Sequence, residues 1–382
     1  MTANRRRALA LFGGAVFALP LAEGAARLLT PAAGEELLFN APAAAPAALY
    51  RDSETLLLEP NPGFNGTISS LGYSVFLRIN TLGLRGPEVG PGRTWLALGD
   101  SFTMAAQVAE ESTFEGRLGD HLGVSVLNAG VDGYSTWQGT LRYRALDDIT
   151  RAEGVLLMYF LGNDLSDNQR IPAMLHGPRP PGGHAAVQHD LDPVTHFLFS
   201  HSVLYAYGRV AWKRHQMAAG DDFDSKRFRQ ELQIFSRDGR PELERLLPST
   251  DDALLELRDE TRRRGDPLLV AVAPPSFAVD PAMATRLLDL FHVPNPDVDA
   301  PRRAVLASLG RLDIHACDLT PPLAAAISRG EKPYFRFDGH WTAAGHAIVA
   351  DTLAGCLAQS ADHPDRKPVQ PTNGAVNGST PG

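Results

Sequence analysis

Three short apolar runs, Trp95–Leu98, Val155–Phe160 and Leu268–Ala273, show no polar alternation along their length. A strand with one wet face alternates with period two, so these runs predict strands covered on both faces. Val124–Leu127 and Asp313–Cys317 are further strand candidates. The stretches between them carry helical spacing. Ser112-x-x-Glu115 forms a capping box for a helix that buries Phe114, Leu118 and Leu122. Ser135–Ile149, Asp251–Arg264, Arg302–Leu309 and Thr342–Ala358 also read as helices. Strands and helices alternating through short links predict a parallel sheet with helices on both faces, a three-layer α/β/α architecture.

The flanking segments have a different texture. Ala and Pro dominate Pro31–Ala48, as in a linker. Tyr50–Gly92 holds short apolar stretches such as Tyr73–Ile79, punctuated by Asn-Pro-Gly, Asn-Gly and Arg-Gly-Pro, and reads as strands and turns. Pro172–Pro248 is rich in Pro, Gly, His and charge. Its one amphipathic piece, Ser202–Trp212, is expected to expose Tyr205 and Tyr207. The segment reads either as a cap inserted over a site or as an excursion packed at the domain's side. From Ala361 the chain is polar and rich in Pro, Asn and Gly, the composition of a disordered tail. The expected organisation is a leader or anchor at 1–30, a linker and small strand segment at 31–92, one domain at 93–360 interrupted at about 172–248, and a tail at 361–382.

Composition narrows the partners. The chain is 44% hydrophobic and 21% charged, which excludes global disorder, and its net charge of −8 gives no reason to expect a nucleic acid. Arg5, Arg6 and Arg7 precede the apolar run Ala8–Ala22. At about 1.5 Å per residue that run is too short for a hydrocarbon layer of ~30 Å. A basic start and a short apolar run predict a secretory signal; uncleaved, residues 8–22 would act as a membrane tether. The expected location is outside the cytoplasm, periplasmic or secreted. The two cysteines, Cys317 and Cys356, have no CxxC spacing, which excludes a thiolate zinc site and a disulfide scaffold. In an oxidising compartment they could pair, but two separately buried thiols are the expectation, since free Cys packs as a small hydrophobe.

Four polar signals follow predicted strands or precede the last helix. Gly99-Asp100-Ser101 comes directly after Trp95–Leu98. A serine there sits at the carboxyl edge of the sheet, with its N–H at a helix N-terminus that favours developing negative charge. Alone, the tripeptide reads equally as a helix cap. Asn128–Ser135 contains Gly133, where a backbone N–H can approach a substrate or simply serve a turn. Leu161-Gly162-Asn163-Asp164 closes Val155–Phe160; the Asn163 amide is a neutral donor suited to an oxyanion, and Asp164 is expected to pin the loop. Phe337-Asp338-Gly339-His340-Trp341 precedes the last helix. Residues two apart in extended backbone share a side, so Asp338 can hold the imidazole of His340 in one tautomer. Among twelve histidines, His315 also has a carboxylate two residues away, Asp313, but within a predicted strand. His346 falls inside the last helix and reads as structural. No His/Asp/Glu set has convincing metal spacing.

Taken together, the stretches GDSFTMAAQV, LNAGVDGYST, YFLGNDLSDN and FDGHWTAAGH resemble the SGNH/GDSL hydrolases over about Thr94–Ala358, outside Pro172–Pro248. The preceding RINTLGLRGPE (Arg78–Glu88) looks like the lead-in of many exported bacterial members. The resemblance implies a flavodoxin-like fold and Ser101 as nucleophile, His340 as base and Asp338 as its partner. It further implies an oxyanion hole from the Ser101 N–H, the Gly133 N–H and the Asn163 side chain, with no cofactor and no metal. Two positions depart from the family pattern. The usual last block is Asp-x-x-His, whereas Asp338-x-His340 is similar to the spacing in SGNH-like alginate acetyltransferases. The usual third block is Gly-x-Asn-Asp, and Leu161 replaces the glycine, a change expected to touch only loop packing. The expected function is a serine esterase acting on a small-molecule, glycan or lipid ester. The alternatives are an O-acyltransferase for an envelope polysaccharide and a non-catalytic glycan-binding protein.

Overall fold

The computed structural model describes residues 18–29, 49–70, 73–178, 193–219, 229–335 and 339–361. Helix α1 (residues 18–29) is followed by two antiparallel hairpins. In the first β1 (Tyr50–Ser53) pairs with β2 (Leu57–Pro60), and in the second β3 (Asn65–Ser70) pairs with β4 (Tyr73–Arg78). Then come β5 (Thr94–Gly99), α2 (Ser101–Met104), α3 (Phe114–Leu122), β6 (Ser125–Asn128), α4 (Thr136–Thr150), β7 (Val155–Phe160) and α5 (Asp164–Leu175). After α6 (Pro193–His201) and α7 (Val203–Ala219), the chain continues through α8 (Arg240–Arg264), β8 (Leu268–Ala273), α9 (Ser276–Val279) and α10 (Pro281–Leu290). It ends with α11 (Ala300–Arg311), β9 (His315–Asp318), α12 (Thr320–Ser328) and α13 (Ala343–Ala361).

Strands β5 to β9 form one sheet in the order β6-β5-β7-β8-β9, every neighbouring pair parallel. Alternate residues of each strand enter opposite cores. Leu96, Leu98, Leu157 and Val270 join Tyr143 of α4, Leu254 and Leu257 of α8 and Val305 of α11. Trp95, Ala97, Leu156 and Met158 join Phe114 and Leu118 of α3 and Val349 and Leu353 of α13. This is the three-layer α/β/α arrangement, and its unalternating central strands have both faces dry for that reason. Strand order reverses around β5, the switch point where open sheets of this kind hold their sites. A third core joins Leu49, Leu56, Phe64, Ile68 and Leu77 of the hairpins to Met104 and Val131, so the hairpins pack against the loops at the carboxyl edge.

Several local expectations are corrected. Helix α3 is capped by Thr113, whose Oγ1 accepts the Gly116 N–H at 3.2 Å, and not by Ser112, which closes a 3-10 turn, Glu110–Ser112. Helix α8 begins at Arg240 rather than Asp251, with Pro248 inside it, because buried Leu243 and Leu246 hold the turns before the proline. Cys317 of β9 and Cys356 of α13 are joined in a disulfide with 5.9 Å between their Cα atoms, not separate thiols, since α13 lies directly over that strand. In α7, Tyr205 and Tyr207 are half-buried and Trp212, 60% exposed, is the aromatic that faces out. Glu23 of α1 caps α7, accepting from Val203 N at 2.9 Å and Ser202 Oγ at 2.8 Å. Most of the predicted signal, residues 1–17, the linker up to residue 48 and the tail from residue 362 lie outside the described residues. Among the described residues no helix is long and apolar enough to cross a membrane.

Candidate active site

Strand β5 ends at Gly99, where φ is +149° and a Cβ would lie 2.3 Å from Thr103 Oγ1 and 2.9 Å from the Met158 carbonyl. No side chain fits there, which lets the chain turn sharply into α2. Buried Asp100 caps that helix, accepting the Phe102 N–H at 2.9 Å, and Ser101 is its first residue. The far end of α2 is held from outside. Asn128 Nδ2 donates to Thr103 O at 2.5 Å, and the buried Arg85 guanidinium donates to the carbonyls of Met104, Ala105 and Val108. Burial pulls Arg85 down to about 10, so it stays charged at neutral pH. The lead-in stretch Arg78–Glu88 is therefore part of the scaffold that holds Ser101.

His340 reaches this serine: Nε2 lies 2.7 Å from Ser101 Oγ. Its loop is fixed by the Phe335 N–H donating to His340 O at 2.8 Å and the Gly339 N–H donating to Phe335 O at 3.1 Å. The Phe102 ring packs 4.8 Å from the imidazole and 4.8 Å from fully buried Trp341, centroid to centroid. Asp338 lies outside the described residues. The other histidines singled out have other employment. His346 is buried, its Nδ1 accepts the Phe114 N–H at 3.1 Å, and burial pushes its pKa down to about 3. His315 is half-buried in β9, while the carboxylate of Asp313 takes an Arg262 N–H at 2.6 Å.

The loops after β6 and β7 flank the loop after β5, because those strands are its neighbours in the sheet. After β6, the Val131 N–H donates to Gly99 O at 3.1 Å and the Tyr134 N–H to Val131 O at 3.1 Å. Gly133, exposed, occupies that turn with φ +73°, a conformation other residues enter at a cost. After β7, Asn163 stands at the N-cap position of α5, with Nδ2 donating to Asp167 Oδ2 at 2.9 Å and Oδ1 buried without a partner. Asp164 Oδ2 accepts the Phe160 N–H at 2.8 Å, pinning the loop, and burial raises its pKa well above the usual carboxylate range. Burial likewise raises Asp100. Leu161, 1% exposed, packs into the core shared with α4 and α8, so the departure at that position is one of packing. Sequence reasoning passed over Asp167 and Arg85, although both lay inside quoted motifs, YFLGNDLSDN and RINTLGLRGPE. Among the described residues no cluster of three or more His, Cys, Asp or Glu could hold a metal ion.

Residues 235–378 match the family model described as "SGNH hydrolase-like domain, acetyltransferase AlgX". Over that stretch the chain is similar to an SGNH hydrolase-like domain. The matched stretch contains His340 but begins after Ser101, Gly133 and Asn163. No curated protein sequence matches the chain. Among solved structures it is similar to a putative lipolytic protein of the G-D-S-L family from Desulfitobacterium hafniense, at 10% identity and a TM-score of 0.35, covering 69% of this chain and 99% of that one. It is also similar to a catalytic mutant of the acetylxylan esterase Axe2 from Geobacillus stearothermophilus, at 14% identity and a TM-score of 0.35, covering 71% and 96%. The acetyl xylan esterase AlAXEase is 12% identical with a TM-score of 0.37, covering 69% and 98%. At TM-scores below 0.5 these likenesses bear on neither the substrate nor the reaction of this chain.

Proposed function

We propose that this protein is an extracytoplasmic serine esterase working through an acyl-enzyme at Ser101. The observation that carries the reading is the 2.7 Å approach of His340 Nε2 to Ser101 Oγ at the switch point of the sheet. In this reading Ser101 Oγ attacks the ester carbonyl while His340 Nε2 takes its proton. The negative charge that forms on the carbonyl oxygen is met by the Ser101 and Gly133 N–H groups and the Asn163 amide. His340 then gives the proton to the departing alcohol, and a water activated by the same nitrogen releases the acid and restores Ser101. Asp338, two residues before His340, would hold the imidazole in the tautomer with a free Nε2. No step calls on a metal or an organic cofactor. The cysteine pair and the basic, apolar N-terminus support export, with residues 8–22 serving as tether if uncleaved.

A second reading keeps the acyl-enzyme and changes the acceptor to a sugar hydroxyl of an envelope polysaccharide. The match of residues 235–378 to an acetyltransferase-type domain favours it, as does the Asp338-x-His340 spacing. One experiment addresses both: release of p-nitrophenol from the acetate, butyrate and octanoate esters by the full chain, with and without a soluble polysaccharide. Ser101→Ala and His340→Ala should each lower kcat by roughly 10⁴ or more. Acyl groups recovered on the polysaccharide would decide for transfer. Equal turnover by wild type and Ser101→Ala would remove the acyl-enzyme altogether.

A further inference from the structure

Asn163 carries two N–H groups, and only one orientation of its amide offers the second of them to an oxyanion. That orientation is not the one that satisfies the amide oxygen, since Oδ1 is buried with no partner. What selects it is the carboxylate of Asp167, one helical turn on in α5, whose Oδ2 accepts an Asn163 N–H at 2.9 Å. Turning the amide over would bring Oδ1 against that acceptor, two lone-pair atoms in contact, and would leave the NH2 group without its partner. Asp167 is itself fully buried and cannot swing away. Its other oxygen takes an Arg170 Nη2–H at 2.7 Å, and its backbone N–H donates to Asn163 O at 2.9 Å. The Arg170 side chain is 37% exposed, so the pair reaches from the solvent edge of α5 to the buried amide.

We propose that Asp167 is a positioning residue: with Arg170 it locks the Asn163 amide so that one N–H is spent on the carboxylate and the other faces the substrate's carbonyl oxygen. The inference rests on the oxyanion role read for Asn163. Its signature is an effect on kcat that vanishes when Asn163 is absent, because a carboxylate that only steadies α5 would matter in either background.

The experiment is a double-mutant cycle on the full chain, read as kcat and KM with p-nitrophenyl acetate alongside thermal melting. Asn163→Ala should lower kcat by roughly 10²–10³. Asp167→Asn should lower kcat by about tenfold or more with little change in KM, and by less than about twofold when Asn163 is already Ala. An equal loss in both backgrounds, or a normal kcat for Asp167→Asn, overturns the positioning role while leaving that of Asn163 standing. A normal kcat for Asn163→Ala sinks the oxyanion reading first, and this inference with it. Should Asp167→Asn fail to fold, Arg170→Gln runs the same cycle from the exposed end. Its kcat loss must likewise disappear in the Asn163→Ala background, and an undiminished loss there refutes the proposal.

Discussion

Arg85 is the residue on which the geometry of α2 most depends after Gly99. A four-residue helix has almost no internal hydrogen bonding, so the carbonyls at its C-terminal end need partners from elsewhere. The Arg85 guanidinium donates to two of them, the Met104 and Ala105 carbonyls, and to Val108 O just beyond, and Asn128 donates to Thr103 O. Replacing Arg85 by Met strands buried carbonyls as well as removing the charge. The expected cost is about 3 kcal/mol in urea unfolding, with a lower kcat because Ser101 loses its fixed relation to His340. An unchanged unfolding midpoint would show that water replaces the guanidinium at no cost. Ser101 and His340 could be nominated from the sequence because their chemistry needs a serine after a buried strand and an imidazole ahead of the last helix. Arg85 and Asp167 could not, since a buried ion with carbonyl or amide partners is defined by what folds around it. The pattern RINTLGLRGPE contained the arginine but not its partners.

At the scale of elements, the cysteine pair bears on His340 as well as on stability. The disulfide closes a loop of 39 residues from β9 to α13, and His340 lies inside that loop. Constraining the unfolded chain over that length is worth about 4 kcal/mol in the chain-entropy picture. Replacing both cysteines by Ser should lower unfolding stability by about 2–4 kcal/mol, with kcat unchanged while the protein is folded. Urea curves for the two forms check this, and coincident midpoints would mean that α13 needs no tether. The pairing was not legible because sequence separation says nothing about distance across a sheet edge. The central strands β7 and β8 were legible to the residue, since a strand dry on both faces leaves an unbroken apolar run between polar turns. Helix α12 was missed, as its Thr-Pro-Pro start reads as a break although Pro is well suited to the first helical turn. The start of α8 was misplaced for the converse reason: Pro248 sits inside a helix that its buried leucines carry through.

For the whole molecule, pH acts through groups buried by the packing of α3 against α13. His346 must be neutral there, because its Nδ1 accepts the Phe114 N–H, and burial lowers its pKa to about 3. An unfolded histidine titrates near 6.5, so the stability this residue confers is present above about 6.5 and is lost as pH falls from there towards 3. Glu115, on α3, works in the opposite direction. Burial pushes it up to about 8, so its share is present below the ordinary carboxylate range and is lost as pH rises through 8. Asp100 and Asp164, also raised by burial, share that sign. The histidine and the buried carboxyls therefore tilt stability in opposite directions where their windows overlap, the first favouring neutral pH and the second acid pH. Glutamine at position 346 keeps an acceptor for Phe114 but cannot take up a proton. The His346→Gln protein should lose about 2 kcal/mol less than wild type between pH 7 and pH 5, the window in which the unfolded histidine binds a proton and the folded one does not. Urea midpoints at those two pH values measure the difference directly. Parallel pH curves for the two proteins would mean that the folded state takes up the His346 proton with ease, and that burial between α3 and α13 does not hold it neutral.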